Sequence, residues 1–110
     1  MKEIDIEIYE TVSGKCPFEH WFQKIKGIHT RAKILTRLDR LSLGNFGDCK
    51  PLKDGVYELR IHYGSGIRIY YGKTGNKVIL LLCGGDKGSQ NKDIFQAKEY
   101  LKDYLSRRKK

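Results

Sequence analysis

The sequence predicts an α+β fold: a mostly antiparallel sheet of about four strands, with a helical hairpin near the N terminus and a helix at the C terminus. Two alternating apolar/polar runs flank the Gly-rich Gly64-Ser65-Gly66, which signals a β-hairpin. The run from Val78 to Cys83 is apolar on both faces, as expected of a strand covered on both sides. Three other stretches repeat their apolar residues at helical spacing. No linker, internal repeat or low-complexity segment interrupts the chain, so residues 1–110 read as one domain.

Residues 2–9 alternate, with Ile4, Ile6 and Ile8 on one side and Glu3, Asp5 and Glu7 on the other. A half-buried strand with an acidic outer row suits a sheet edge, where charge discourages pairing with other chains. Ser13, Gly14 and Lys15 form a turn, and Pro17 fits a first helical position, where a missing N–H costs nothing. Phe18, Trp21, Phe22 and Ile25 then form one apolar stripe, closed by Gly27. A second helix is expected from Thr30, as N-cap, to Leu43, with Gly44 ending it. It buries Ile34, Leu35, Leu38 and Leu41 and exposes Arg31, Lys33, Arg37 and Arg40. Asn45 to Asp54 reads as a loop carrying Lys50 and Lys53 to the mouth of the central hairpin.

Across that hairpin, Tyr57, Leu59, Ile61, Ile67, Ile69 and Tyr71 share the core face, while Glu58, Arg60, His62, Arg68 and Tyr70 share the other. With Gly64–Gly66 as a three-residue turn, Arg60 falls opposite Tyr70, and His62 opposite Arg68. One face is core and the other a basic, aromatic surface. Gly72 to Asn76 turn into the apolar strand, and Gly84 to Ser89 resemble a phosphate-cradling loop in composition alone, without the spacing of a nucleotide-binding motif. The last helix spans about Asn91 to Ser106, followed by a basic tail, Arg107 to Lys110.

Twenty-two Lys and Arg against 13 Asp and Glu give a formal net charge of +9. That excess favours nucleic acid, an anionic surface or an acidic protein as partner. Cys16, Cys49 and Cys83 are odd in number and lack zinc spacing, which fits free thiols in a reducing compartment. The longest apolar run is too short to cross a bilayer and residues 1–10 lack a signal-peptide core, so a cytoplasmic location without membrane attachment is expected.

Four motifs in order, G-V-Y-E-L-R-I (Gly55–Ile61), G-x-R-I-Y-Y (Gly66–Tyr71), L-L-L-C-G-G-D-K (Leu80–Lys87) and K-D-I-x-x-A-K-x-Y (Lys92–Tyr100), resemble the RelE/HigB superfamily, closest to its phage-derived, HigB-type addiction module toxins. The likeness runs from the P-F-E-H-W-F helix to the L-K-D-Y segment. It implies a RelE-like fold and the toxin of a type II toxin–antitoxin module. The implied activity is an endoribonuclease, an mRNA interferase cutting messenger RNA on the ribosome without metal or other cofactor. The implied partners are the ribosome, mRNA and a small helix-turn-helix antitoxin that forms a hetero-oligomer with the toxin.

Such chemistry needs fixed positive charge at the scissile phosphate and groups to move two protons. Arg68 matches the family's arginine in G-x-R, and Arg60 falls where relatives carry Lys or Arg; both are assigned to phosphate and transition-state binding. His62 is the acid/base candidate, because histidine titrates near neutrality, or else an ordinary exposed strand-end histidine. Lys87 is placed at the leaving group. Lys50, Lys53, Tyr70 and Arg37 are candidates for RNA contact, Tyr70 serving either to stack a base or simply to flank Arg60 across the ladder. Three departures stand out: Lys87 is followed by Gly88 where relatives have a basic pair, Ile67 replaces a common Tyr, and the C-terminal tyrosine has no counterpart. The general acid is therefore unassigned. A ParE-type gyrase inhibitor and a non-catalytic RNA- or partner-binding module are the alternatives.

Overall fold

In the computed structural model, which describes residues 4–75 and 78–108, the chain order is β1 (Asp5–Ile8), α1 (Pro17–Gln23), α2 (Ile28–Ser42), β2 (Cys49–Pro51), β3 (Val56–Ile61), β4 (Ile67–Thr74), β5 (Val78–Asp86) and α3 (Gln90–Arg108). The strands form one mixed, mostly antiparallel sheet in the order β1-β5-β4-β3-β2. The fold is thus α+β, in the RelE-like arrangement of N-terminal helices, sheet and long C-terminal helix. Residues 1–3, 76–77 and 109–110, which include the start of the expected first strand and the end of the basic tail, lie outside the described residues.

The helical hairpin covers one sheet face, where Phe18, Ile34 and Leu41 meet Leu59, Ile61, Ile69, Ile79 and Leu81. The other face packs Val56, Tyr70, Leu80, Leu82 and Cys83 against Ala97 and Leu101 of α3. β1 takes the predicted edge position but runs parallel to β5, from Asp5 beside Val78 to Ile8 beside Leu81. No helix among the described residues is long and apolar enough to cross a membrane.

Several local expectations change. The helix start moves from Thr30 to Ile28, with extended Gly27 as N-cap and its carbonyl accepting the Arg31 N–H at 3.1 Å. Leu35 is exposed rather than buried, since a helix turns about 100° per residue and the buried line runs through Ile34, Leu38 and Leu41. Arg31 does not face solvent freely: its guanidinium donates to the carbonyls of Ile25 and Gln23 at 2.8 and 3.0 Å, pinning the exit of α1. The loop from Asn45 to Asp54 contains a fifth strand, β2, whose Lys50 pairs with Glu58.

The central hairpin turns through five residues, 62–66, rather than three. The Tyr63 N–H donates to Ile61 O at 2.9 Å and the Gly66 N–H to Tyr63 O at 3.1 Å, closing the turn before Ile67. The register shifts by two, so Arg60 faces Arg68, Glu58 faces Tyr70 and Leu59 faces Ile69. A shift of two leaves every side chain of the ladder on its expected face, because the strand repeat is two, while His62 passes from the strand into the turn.

Gly84, Gly85 and Asp86 belong to β5 and not to a phosphate-type loop. A Cβ on Gly84 would collide with the Trp21 ring, and one on Gly85 with the Asp93 carboxylate, so these glycines let α1 and α3 approach the strand from opposite sides. Tyr70 pairs with Cys83 but Tyr71 with Leu81, so Leu82 is the extra residue of a β-bulge. Leu82 and Cys83 consequently both face α3.

Candidate functional site

The site lies on the α3 side of the sheet, where β3 and β4 run out from under the helix. Arg60 and Arg68 stand directly opposite one another there. Like charges in such a pair repel, and Glu58, two residues back on the same face, answers both. Its Oε1 lies 3.3 Å from Arg60 Nε and its Oε2 lies 3.5 Å from Arg68 Nε. Both Nε atoms are out of water and at ion-pair distance, without the alignment of a hydrogen bond.

The Glu58 side chain is 1% exposed, and a carboxylate that deep requires partners. Gln90 Nε2, at the first turn of α3, donates to it at 2.7 Å, and the Tyr70 hydroxyl lies 3.4 Å away. Two guanidinium groups against one carboxylate leave a surplus positive charge. Arg68 Nη1 also donates to Gly66 O at 3.0 Å, fixing the arginine to the hairpin turn. Side-chain exposure of 31% for Arg60 and 12% for Arg68 leaves each partly open to solvent.

That opening is a pocket of about 460 Å³ lined by Arg60, His62, Ser65, Gly66, Arg68 and Lys87, among others. Gly66 has φ +84, and a Cβ there would press on Arg68 Nη1 at 3.1 Å, so glycine suits both the turn and the pocket wall. Lys87 is exposed on the 3₁₀ turn that follows β5. Asp86 caps that turn, its carboxylate accepting the N–H groups of Gly88 at 2.9 Å and Ser89 at 3.2 Å. The His62 side chain is 75% exposed, with Nε2 at 2.5 Å from Asp48 Oδ2. The imidazole contact holds the Asp48 carboxyl below its usual range, aided by the charges of Arg60 and Arg37 and opposed by desolvation.

Arg60, Arg68, His62 and Lys87 therefore line one pocket. The expected RNA-contact residues do not gather with them. Tyr70 is fully buried, so its ring has no face to offer a base; burial, then the Glu58 charge, pushes its hydroxyl pKa up. Arg37 donates to the carbonyls of Arg60 at 2.7 Å and Phe46 at 3.2 Å, bracing β3 against the preceding loop instead of forming part of a solvated basic face. Lys50 is exposed on edge strand β2, opposite Glu58. Lys53 precedes β3, at the end away from the arginine pair, which corrects its placement at the hairpin mouth.

Glu58, Gln90 and Asp48 are the residues that sequence reasoning missed. Glu58 and Arg60 are two apart on one strand face, a spacing that itself signals an ion pair. Asp48 and Gln90 carry no such signal, since each reaches the site only through long-range folding. Burial first, and then Asp93, push the Cys83 thiol up to about 12, which makes it a core residue and no nucleophile at neutral pH. Among the described residues, no group of three or more His, Cys, Asp or Glu is placed to hold a metal ion.

Comparison with known proteins adds two findings. Residues 21–103 match the family described as phage-derived protein Gp49-like (DUF891). An uncharacterized protein of Haemophilus influenzae (strain Rd) is 49% identical over 81 residues, spanning 74% of this chain and 82% of that protein.

Proposed function

The chain belongs to the phage-derived Gp49-like family, and from that premise we propose that it is the toxin of a type II toxin–antitoxin module, a metal-independent endoribonuclease that cuts mRNA on the ribosome. The observation that carries this reading is the cross-strand pair Arg60–Arg68 at the rim of a pocket shared with His62 and Lys87. The phage origin of the family is in keeping with the HigB-type resemblance of the motifs.

The reaction needs no bound cofactor. The ribose 2′-oxygen attacks the adjacent phosphorus as its proton is removed, and the bond to the 5′-oxygen breaks. The products are a 2′,3′-cyclic phosphate and a 5′-hydroxyl. Arg60 and Arg68 bind the non-bridging oxygens and offset the negative charge that builds on them; losing one such preorganised donor costs on the order of 10²-fold in rate. Asp48 accepting from His62 Nε2 leaves Nδ1 free to take the 2′-OH proton. Lys87, which lines the same pocket, is assigned to stabilising the departing 5′-oxygen, which takes up a proton from water to become the hydroxyl. A small helix-turn-helix antitoxin is the proposed partner, holding the toxin silent in a hetero-oligomer.

Primer extension on a reporter message in a purified translation mix, with and without ribosomes, tests this reading. Cuts inside the reading frame that require ribosomes and disappear in Arg68→Ala are expected. Growth arrest with intact message would transfer the weight to a gyrase-binding toxin, and neither arrest nor cleavage would leave a binding module.

A further inference from the structure

We infer that Glu58 is a positioning residue for the arginine pair, the buried anchor that sets where both guanidinium groups meet a phosphate. The inference rests on the nuclease reading for its catalytic consequence, although its structural part stands alone.

Glu58 is the one charged residue among the buried side chains described, and both of its oxygens are engaged. Oε1 lies by Arg60 and Oε2 by Arg68, so one planar carboxylate spaces two guanidinium groups on adjacent strands. It meets each arginine at Nε, the donor nearest the aliphatic stem and the one already shut away from water. An arginine held there keeps its terminal nitrogens for other ligands; Arg68 uses Nη1 on Gly66 O and in doing so ties the pocket wall to the same anchor. Glu58 is itself held at 2.7 Å by Gln90, the first residue of α3, and lies 3.4 Å from the Tyr70 hydroxyl. The carboxylate does not line the pocket. It acts through Arg60 and Arg68, fixing their spacing and orientation before RNA arrives, which is where preorganised electrostatics gains its effect.

A carboxylate that merely neutralised excess charge would leave the arginines free to reorient, and its removal would strengthen anion binding without slowing a bound substrate. A positioning carboxylate makes the opposite demand. The test follows the ¹⁵Nε–H resonances of Arg60 and Arg68, assigned through the Arg60→Lys and Arg68→Lys variants, in the whole protein and in Glu58→Gln. In wild type both signals should stand apart from those of exposed arginines and exchange slowly with water. In Glu58→Gln both should collapse toward the exposed-arginine position and exchange at least about tenfold faster, while single-turnover cleavage of ribosome-bound message falls on the order of tenfold and affinity for a 2′-deoxy RNA analogue is kept or rises. Unchanged Nε–H signals in Glu58→Gln would overturn the inference, as would unchanged turnover on a message that wild type cuts. If wild type cuts nothing while the signals still collapse, the nuclease reading fails and the anchoring role survives. Should Glu58→Gln not fold, Gln90→Leu removes the shortest hydrogen bond to the carboxylate: a smaller loosening of the same two signals supports the anchor, and none refutes it.

Discussion

The two faces of the β3–β4 ladder share one alternating pattern and meet opposite fates. On the hairpin side, Leu59 faces Ile69 and both are fully buried beneath α1 and α2, so that face asks only for volume and shape. On the α3 side, Tyr70 is buried under the helix, whereas the next pair along, Arg60 and Arg68, reaches the rim where α3 begins at Gln90. Where the helix starts decides which polar residues become core and which become site. Glu58 stands at that boundary, buried like a core residue and charged like a site residue.

The sharpest way to break the comparison is in the apolar face. Ile69→Ala should lower stability by about 2–5 kcal/mol in denaturant unfolding, the usual cost of a cavity in a packed core. Arg68→Ala is a smaller insult but not a surface one. It deprives Glu58 of one of its partners while leaving Arg60 and Gln90 in place, so a loss of about 1–3 kcal/mol is expected. The same variant should lose on the order of 10²-fold in cleavage rate, a split between modest destabilisation and large activity loss that Ile69→Ala should not show.

Next in size is an alkaline effect from the buried side of the sheet. Burial, then the hydrogen bond and charge of Asp103, raise the Tyr9 hydroxyl to about 12, against about 10 in an unfolded chain. A raised folded-state pKa means the stabilisation is complete below about pH 10 and drains away as the pH climbs toward about 12, with Tyr70 and Tyr71 contributing in the same direction. Thermal unfolding measured across that interval should show the fall, and Tyr9→Phe should make it shallower.

The smallest expected change is on the exposed rim. His62→Gln should alter stability by less than about 0.5 kcal/mol, since it touches only the Asp48 contact at the surface. Its effect should instead be read in two titrations. The Asp48 carboxyl, held low by the imidazole, should move up toward the ordinary range, so that the contact's contribution, present above that range and lost as pH falls through the lowered value, disappears. The pH profile of cleavage should flatten if His62 carries a proton.

Much of this was legible in the sequence, and the part that was not has a common cause. Period-two and helical spacing are local, so the element order apart from β2, the edge position of β1, the two-sided burial of β5 and the sharing of a face by Arg60 and Arg68 could all be read from them. The turn length was not readable, because Gly64 and Gly66 both adopt positive φ and suit a five-residue turn as well as a three-residue one. The burial of Tyr70 and the diversion of Arg37 to backbone carbonyls depend on what packs from elsewhere, as do the partners Gln90 and Asp48. A glycine pair such as Gly84-Gly85 reads as a loop until two helices are seen to need its missing Cβ atoms.

The most direct test of the account is the chemistry of the cut ends. A message carrying a single 2′-deoxy nucleotide at a mapped cleavage position should resist cutting there, while the all-ribose message yields a 2′,3′-cyclic or 3′-phosphate and a 5′-hydroxyl. Cleavage of the deoxy-substituted bond, or a 5′-phosphate on the product, would contradict attack by the 2′-oxygen and with it the role given to Arg60, Arg68 and His62.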